Sequence, residues 1–264
     1  MPEEEEWAAY LYPGTDILRN KLDLRDERAL EAERFLARRR ADQVRAGLIE
    51  IPRTYDLSHY LAIHKALFQD VWDWAGEIRT VTTAKKVDER EQARWFIGPK
   101  QIEAGAAGLT EHIQGIAWAE LDREGFVEAI ADTATWLNFL HPSREGNGRA
   151  SRIFLEHVAE KSKFQLDFDA VEQREWNEAS RDSIKPGRGP HPGGPLVMRS
   201  MWQVFDRIVV ERDVTAPGGP ASHAASVARA GNPLSPRAAV TARQQPQRRA
   251  GPRDAPEPPR ELDR

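Results

Sequence analysis

Tyr60, Ile63, His64, Leu67, Phe68 and Val71 recur at spacings of three and four, the period of a helix with one apolar face, and Ser58 is placed to cap its start. Phe126, Ile130, Thr133, Leu137 and Leu140 follow the same rule in a second helix, which Pro142 ends. A third begins near Arg149 and turns Ala150, Ile153, Phe154 and His157 or Val158 inward. Upstream, Leu24 to Ala46 is dense in Ala, Leu, Glu and Arg, all strong helix formers. Two more helices are predicted around 170–183 and 195–211. The pattern breaks once. IRTVTT (78–83) is β-branched, RWFI (94–97) is the next strand-like piece, and the charged KKVDEREQ lies between them. That predicts one β-hairpin set against an all-α body.

Composition divides the chain near residue 213. The 52 residues from Asp213 onward hold 9 of the 18 prolines, no aromatic residue, and eight arginines against five acids. So few large apolar side chains cannot offset the entropy of ordering, so 213–264 is expected to be a disordered Pro/Ala/Arg-rich tail or linker. A basic tail can also serve nucleic-acid binding or export, but a solvated linker is the simpler reading. Residues 1–212 then form one domain without internal repeats. The chain has no Cys, which excludes disulfides, thiolate metal sites and cysteine nucleophiles and fits a reducing compartment. MPEEEEWAAY lacks an apolar segment, so no signal peptide is expected, and no apolar run reaches the ~20 residues of a membrane span. A soluble, cytoplasmic protein is expected, with no membrane contact and no direct nucleic-acid contact. His59, His64, His112 and His157 fall inside predicted helices and read as packing or surface residues. The eight tryptophans read as packing too.

Residues 141–152, HPSREGNGRASR, concentrate the candidate chemistry. Gly146 and Gly148 around Asn147 let the backbone turn tightly and point its N–H groups into one concavity, which suits an anion. The helix beginning near Arg149 adds its unpaired amides and the positive end of its dipole. Arg149 and Arg152, at i and i+3, share a face of its first turn. Glu145 is a carboxylate placed where Mg²⁺ would meet phosphate oxygens. A neutral imidazole at His141 can accept the proton of an attacking hydroxyl. These are the parts of phosphoryl or nucleotidyl transfer. Ser151 stands where a dinucleotide fingerprint needs glycine, and no G-K-[ST] follows as a P-loop requires. Residue chemistry alone leaves two readings open, a phosphate-handling site and a tight structural connection between helices.

The same stretch resembles the signature of Fic-domain proteins, H-P-F-x-[DE]-G-N-G-R-x-x-R, and departs from it only at Ser143. YLYPGTDILRNKL (10–22), IHKALFQDVWDWAGEIRTV (63–81) and REWNEAS (174–180) are similar to the flanking blocks of bacterial Fic toxins, so the resemblance covers about residues 10–211. It implies a compact helical domain with a β-hairpin flap beside the active site. It also implies transfer of AMP from ATP, the co-substrate, to a Tyr, Thr or Ser hydroxyl of a target protein. By position, His141 would be the base and Glu145 the residue that orients Mg²⁺. Gly146, Asn147, Gly148, Arg149, Ala150, Ser151 and Arg152 would form the ATP and phosphate site, with Arg152 on the γ-phosphate. Thr82, Thr83 and Lys85 of the flap would contact target or nucleotide, and Trp176 to Ser183 would wall the adenine side. At Ser143 relatives carry an aromatic that pins the loop to the core, so a serine is expected to loosen the cradle.

Many Fic proteins are held off by a helix bearing [ST]-x-x-x-E-[GN]. Here Glu precedes Gly or Asn only at 124–125 and 145–146, with Glu120 and His141 four residues earlier, so neither fits. The resemblance therefore implies the class controlled by a separate small antitoxin that carries the inhibitory helix. Toxins of this class include some that modify topoisomerase ATPase subunits, and longer relatives are delivered into other cells. Two alternatives stand beside AMP transfer: another group (UMP, phosphate or phosphocholine) moved on the same scaffold, and a degenerate Fic binding module. Gly148 argues against the kinase-like branch, and the intact His141 and Glu145 argue against degeneracy.

Overall fold

The computed structural model describes residues 3–85, 94–184 and 199–212; the expected tail, 213–264, and most of the hairpin loop, 86–93, lie outside the described residues. Among those residues the order is α1 (Glu3–Ala9), α2 (Arg28–Arg45), α3 (Leu57–Phe68), β1 (Ala84–Lys85), β2 (Arg94–Trp95), α4 (Ile102–Gly115), α5 (Arg123–Leu140), α6 (Asn147–Ala159), β3 (Phe164–Leu166), α7 (Gln173–Asp182), α8 (Arg199–Ile208) and β4 (Val209–Glu211). Helix α5 is the central element: Phe126, Val127, Ile130 and Ala131 are fully buried, and α4, α6 and α8 pack around it. Helix α3 packs on both α2 and α6 and brings Tyr60, Ile63, Leu67 and Phe68 into the same core. The all-α expectation holds, with two small antiparallel pairs at its edge. β1–β2 pairs Ala84 with Trp95 and Lys85 with Arg94, and β3–β4 pairs Phe164 with Glu211 and Leu166 with Val209.

Four local features depart from the sequence reading. Asp56, not Ser58, caps α3: its carboxylate accepts the His59 N–H at 2.9 Å and also takes the hydroxyls of Thr54 and Ser58. The hairpin ladder begins at Ala84, after the β-branched run, where the carbonyls of Val81 and Ile97 are taken by the Arg79 guanidinium instead of by a facing strand. Helix α8 stops at Ile208, where two successive valines continue as β4. Helix α4 has no counterpart in the sequence pattern. Its stripe, Ile102, Ala106, Leu109 and Ile113, is interrupted by glycines that allow close approach to α5: a Cβ at Gly105 would sit 2.7 Å from Leu140 Cδ2, and one at Gly108 2.9 Å from the Trp136 ring.

Candidate functional site

The site is built where α5 ends and α6 begins. His141 closes α5 in the left-handed conformation (φ 41°), its N–H on the Leu137 carbonyl. Arg79, 1 % exposed, holds this turn from beneath. Its guanidinium donates to the carbonyls of His141 (2.8 Å), Val81 (2.7 Å), Leu140 (3.4 Å) and Ile97, and the Arg79 backbone N–H donates to the Pro142 carbonyl at 2.9 Å. A buried cation served only by carbonyls has its pKa pushed down, to about 10, chiefly by loss of water.

Asn147 ties down the other side of the loop. Its amide donates to the Ser143 carbonyl at 2.7 Å, its oxygen accepts the Ser143 N–H at 2.9 Å, and Tyr60 donates to the same oxygen at 3.0 Å. The loosening expected at Ser143 is therefore not what the geometry shows: the residue is fully buried and both of its backbone groups are held. Its hydroxyl contributes little, since it reaches the Glu77 carbonyl only at 3.4 Å. Ser143→Ala should leave the melting temperature nearly unchanged. Ser143→Phe must displace packed neighbours and should cost about 1–3 kcal/mol of stability in urea unfolding.

Residues of this loop face a cleft of about 720 Å³. Its walls include His141, Glu145, Gly146, Asn147, Gly148, Arg149, Ser151 and Arg152 from the loop and α6, Lys85 from β1, Asn138 from α5, and Trp176, Asn177 and Ser180 from α7. His141 stacks flat on Phe96, ring centroids 3.7 Å apart and 8° from parallel. Burial first, then the cations Arg79 and Lys85, push its pKa down to about 3, so the imidazole is neutral at cellular pH. Lys85, pushed down to about 8 chiefly by burial and then by Arg181, donates to Ser180, whose hydroxyl donates to Asn138. A larger cleft of about 960 Å³ lies on another side of Arg152, but His141, Glu145 and the glycines do not line it.

The two arginines of α6 are not equivalent. Arg149 is ion-paired with Glu33 of α2 and lies over the Phe68 ring at 4.9 Å. Glu33 is 4 % exposed; burial raises its pKa, and Arg149 opposes the shift. Arg152 rests over Trp176 (5.0 Å) and Phe168 (5.4 Å), with one long hydrogen bond to Gln173 at 3.5 Å. Glu145 is exposed, and its Oε1 accepts the Gly146 N–H at 3.0 Å. No group of three or more His, Cys, Asp or Glu among the described residues could hold a metal. A single exposed carboxylate beside a helix start does fit Mg²⁺ arriving with phosphate oxygens as its other ligands.

The structure sorts the expected residues. His141, Glu145, Gly146, Asn147, Gly148, Arg149, Ser151, Arg152 and Lys85 meet at one cleft. Ala150 does not: it is fully buried, and its N–H bonds the Gly146 carbonyl. Thr82 and Thr83 stand before β1 and away from the cleft lining; the Thr83 hydroxyl is buried and has no hydrogen-bond partner among the described residues. Arg79 and Glu33 belong to this site without any motif that marks them. Arg79 carries one signal, a lone charge inside a β-branched run.

A helical domain that gathers a histidine, a carboxylate, a glycine-flanked helix start and arginines at one cleft defines the class. The model of the Fic/DOC family matches residues 54–159. The chain is 34% identical over 204 residues to the "Probable protein adenylyltransferase Fic" of Escherichia coli (strain K12), covering 76% of this chain and 92% of that one. It is 35% identical over 181 residues to the protein adenylyltransferase VbhT of Bartonella schoenbuchensis, covering 66% of this chain and 35% of VbhT. Among solved structures, the BepC protein of Bartonella tribocorum, crystallised with AMPPNP, superposes with a TM-score of 0.66 at 24% identity over 78% of this chain and 98% of that one. The chain belongs to the Fic/DOC family, in which several curated relatives are named protein adenylyltransferases. No described helix is long and apolar enough to cross a membrane.

Proposed function

We propose that this chain transfers AMP from ATP to a hydroxyl side chain of a target protein and is restrained by a separate antitoxin. The observation that carries the reading is the convergence of His141, Glu145, the Gly146–Gly148 turn and Arg152 on one cleft. In this reading the target hydroxyl oxygen bonds the α-phosphorus, the bond to the bridging oxygen breaks, and pyrophosphate leaves. His141, neutral at cellular pH, takes the hydroxyl proton. The Asn147 and Gly148 amides at the start of α6, together with Arg152, hold the phosphates. Glu145 would hold Mg²⁺, which when bound neutralises phosphate charge. Trp176 offers the nucleobase an aromatic wall, and Lys85 faces the reacting end. Arg152 rests on aromatic faces and a long amide contact; Glu156 and Asp169 act on it through their charge, but neither forms an ion pair with it among the described residues, which leaves its guanidinium able to take an external carboxylate. The target class is a protein with an accessible Tyr, Thr or Ser, a topoisomerase ATPase subunit being one instance.

The test is mass spectrometry of a bacterial lysate incubated with the purified chain, ATP and Mg²⁺. A protein gaining one AMP is the expected result. A gain of UMP or phosphate with the matching nucleotide would favour the alternative transfers, and no gain with any nucleotide would leave the binding-module reading.

A further inference from the structure

The Glu145–Gly146 peptide is held from behind by a side chain to which the reading above gives no part. His64 of α3 is fully buried, with the Phe68 ring centroid at 4.7 Å and those of Trp72 and Trp74 at 6.4 and 6.0 Å. Its Nδ1 lies 2.9 Å from the Gly76 nitrogen, which can only donate. Its Nε2 lies 2.9 Å from the Glu145 carbonyl, which can only accept. The two partners therefore fix the tautomer: Nδ1 accepts and Nε2 carries the proton.

The consequence passes through one peptide plane. In a trans peptide the C=O and N–H point in opposite directions. Drawing the Glu145 oxygen toward His64 in the core thus aims the Gly146 N–H outward, where it meets Glu145 Oε1 at 3.0 Å. We propose that His64 is a positioning residue: by donating to the Glu145 carbonyl it sets the peptide plane that presents both the Gly146 amide and the Glu145 carboxylate to the cleft. It does not line the cleft itself. The inference rests on the AMP-transfer reading for its role in catalysis, while its structural part stands independently.

Two substitutions separate the two ends of the ring. His64→Asn can keep an oxygen near the Nδ1 position for Gly76 but is too short to reach Glu145. His64→Gln can carry an amide to the Nε2 position and donate to Glu145. In His64→Asn the Kd for Mg–ATP by calorimetry should rise about tenfold, and in His64→Gln about threefold or less, the scale seen when a residue orienting a ligand is lost or replaced. In the nucleotide-free proteins, the Gly146 amide proton resonance should move upfield in His64→Asn, which loses the aim toward the carboxylate, and stay near the parent in His64→Gln. Parent-like Kd and resonance in a folded His64→Asn would overturn the proposal, as would a folded His64→Gln no better than His64→Asn. Should His64→Asn fail to fold, the Gly146 resonance of His64→Gln decides: kept supports the proposal, lost overturns it. A parent that binds Mg–ATP but transfers no AMP would sink the functional reading alone, since the amide resonance still tests His64.

Discussion

His141→Ala will abolish AMP transfer while leaving nucleotide binding close to the parent. The ring stands on Phe96 at the end of α5, and its loss removes no phosphate-binding amide or arginine. General-base catalysis is commonly worth about 10²–10⁴-fold, so residual transfer should fall below about one per cent in a single-turnover assay. Transfer above a few per cent would remove His141 from the base role. The pH dependence adds a second check. With its pKa pushed down to about 3, the imidazole of the free protein stays unprotonated across the cellular range, so kcat/KM should show no acidic limb near 6.5. Bound triphosphate brings negative charge that opposes Arg79 and Lys85, so the limb in kcat should lie higher than that in kcat/KM. Stability follows the same shift. A histidine whose folded pKa is depressed binds its proton more readily when unfolded, so the fold is favoured above about 6.5 and loses stability as pH falls toward 3. His59 and His64, pushed to about 4, and His157, pushed to about 3, act in the same direction, each chiefly through burial. The melting temperature should therefore drop steeply below pH 6.5.

Much of the cleft was legible because its polar parts are consecutive. His141, Glu145, the glycines and the arginines occupy twelve adjacent positions of one loop and one helix start. Their chemistry needs no knowledge of tertiary contacts. Helices α3, α5 and α6 were legible for a similar reason, since each turns to the core a stripe at helical spacing that is apolar but for His59 and His64, Thr133 and Thr135, and Asn147 and His157. What stayed hidden is what the chain brings from far away. Arg79 reaches His141 across 62 positions, His64 reaches Glu145 across 81, and Glu33 reaches Arg149 across 116. No local spacing rule links such pairs. Glu33 was further disguised by α2, whose many arginines make any carboxylate look like part of a solvated face. The register of β1 was missed because β-branching measures strand preference and not where pairing begins.

The two glycines of the loop will behave in opposite ways when each receives a methyl group. Gly146 has φ +83°, and a Cβ there would stand 2.5 Å from two carbons of the Phe68 ring, itself fully buried and beneath the Arg149 guanidinium. Left-handed backbone costs a non-glycine residue about 1–2 kcal/mol, and overpacking a core ring costs about 1–3 kcal/mol more. Gly146→Ala should therefore lower stability by several kcal/mol in total, and the survivors should bind Mg–ATP poorly because the start of α6 has moved. Pairing it with Phe68→Leu should recover the overpacking part but not the backbone part. Gly148 is exposed and helical, and a Cβ there would meet nothing within 4 Å. Gly148→Ala should hold or raise stability, by up to about 1 kcal/mol from helix propensity alone. If phosphate does sit against this turn, the same methyl group occupies the space a phosphate oxygen needs, and AMP transfer should fall at least tenfold with the fold intact, a loss of about 1.4 kcal/mol in transition-state binding. A folded Gly148→Ala that transfers AMP at the parent rate would place the phosphates elsewhere in the cleft.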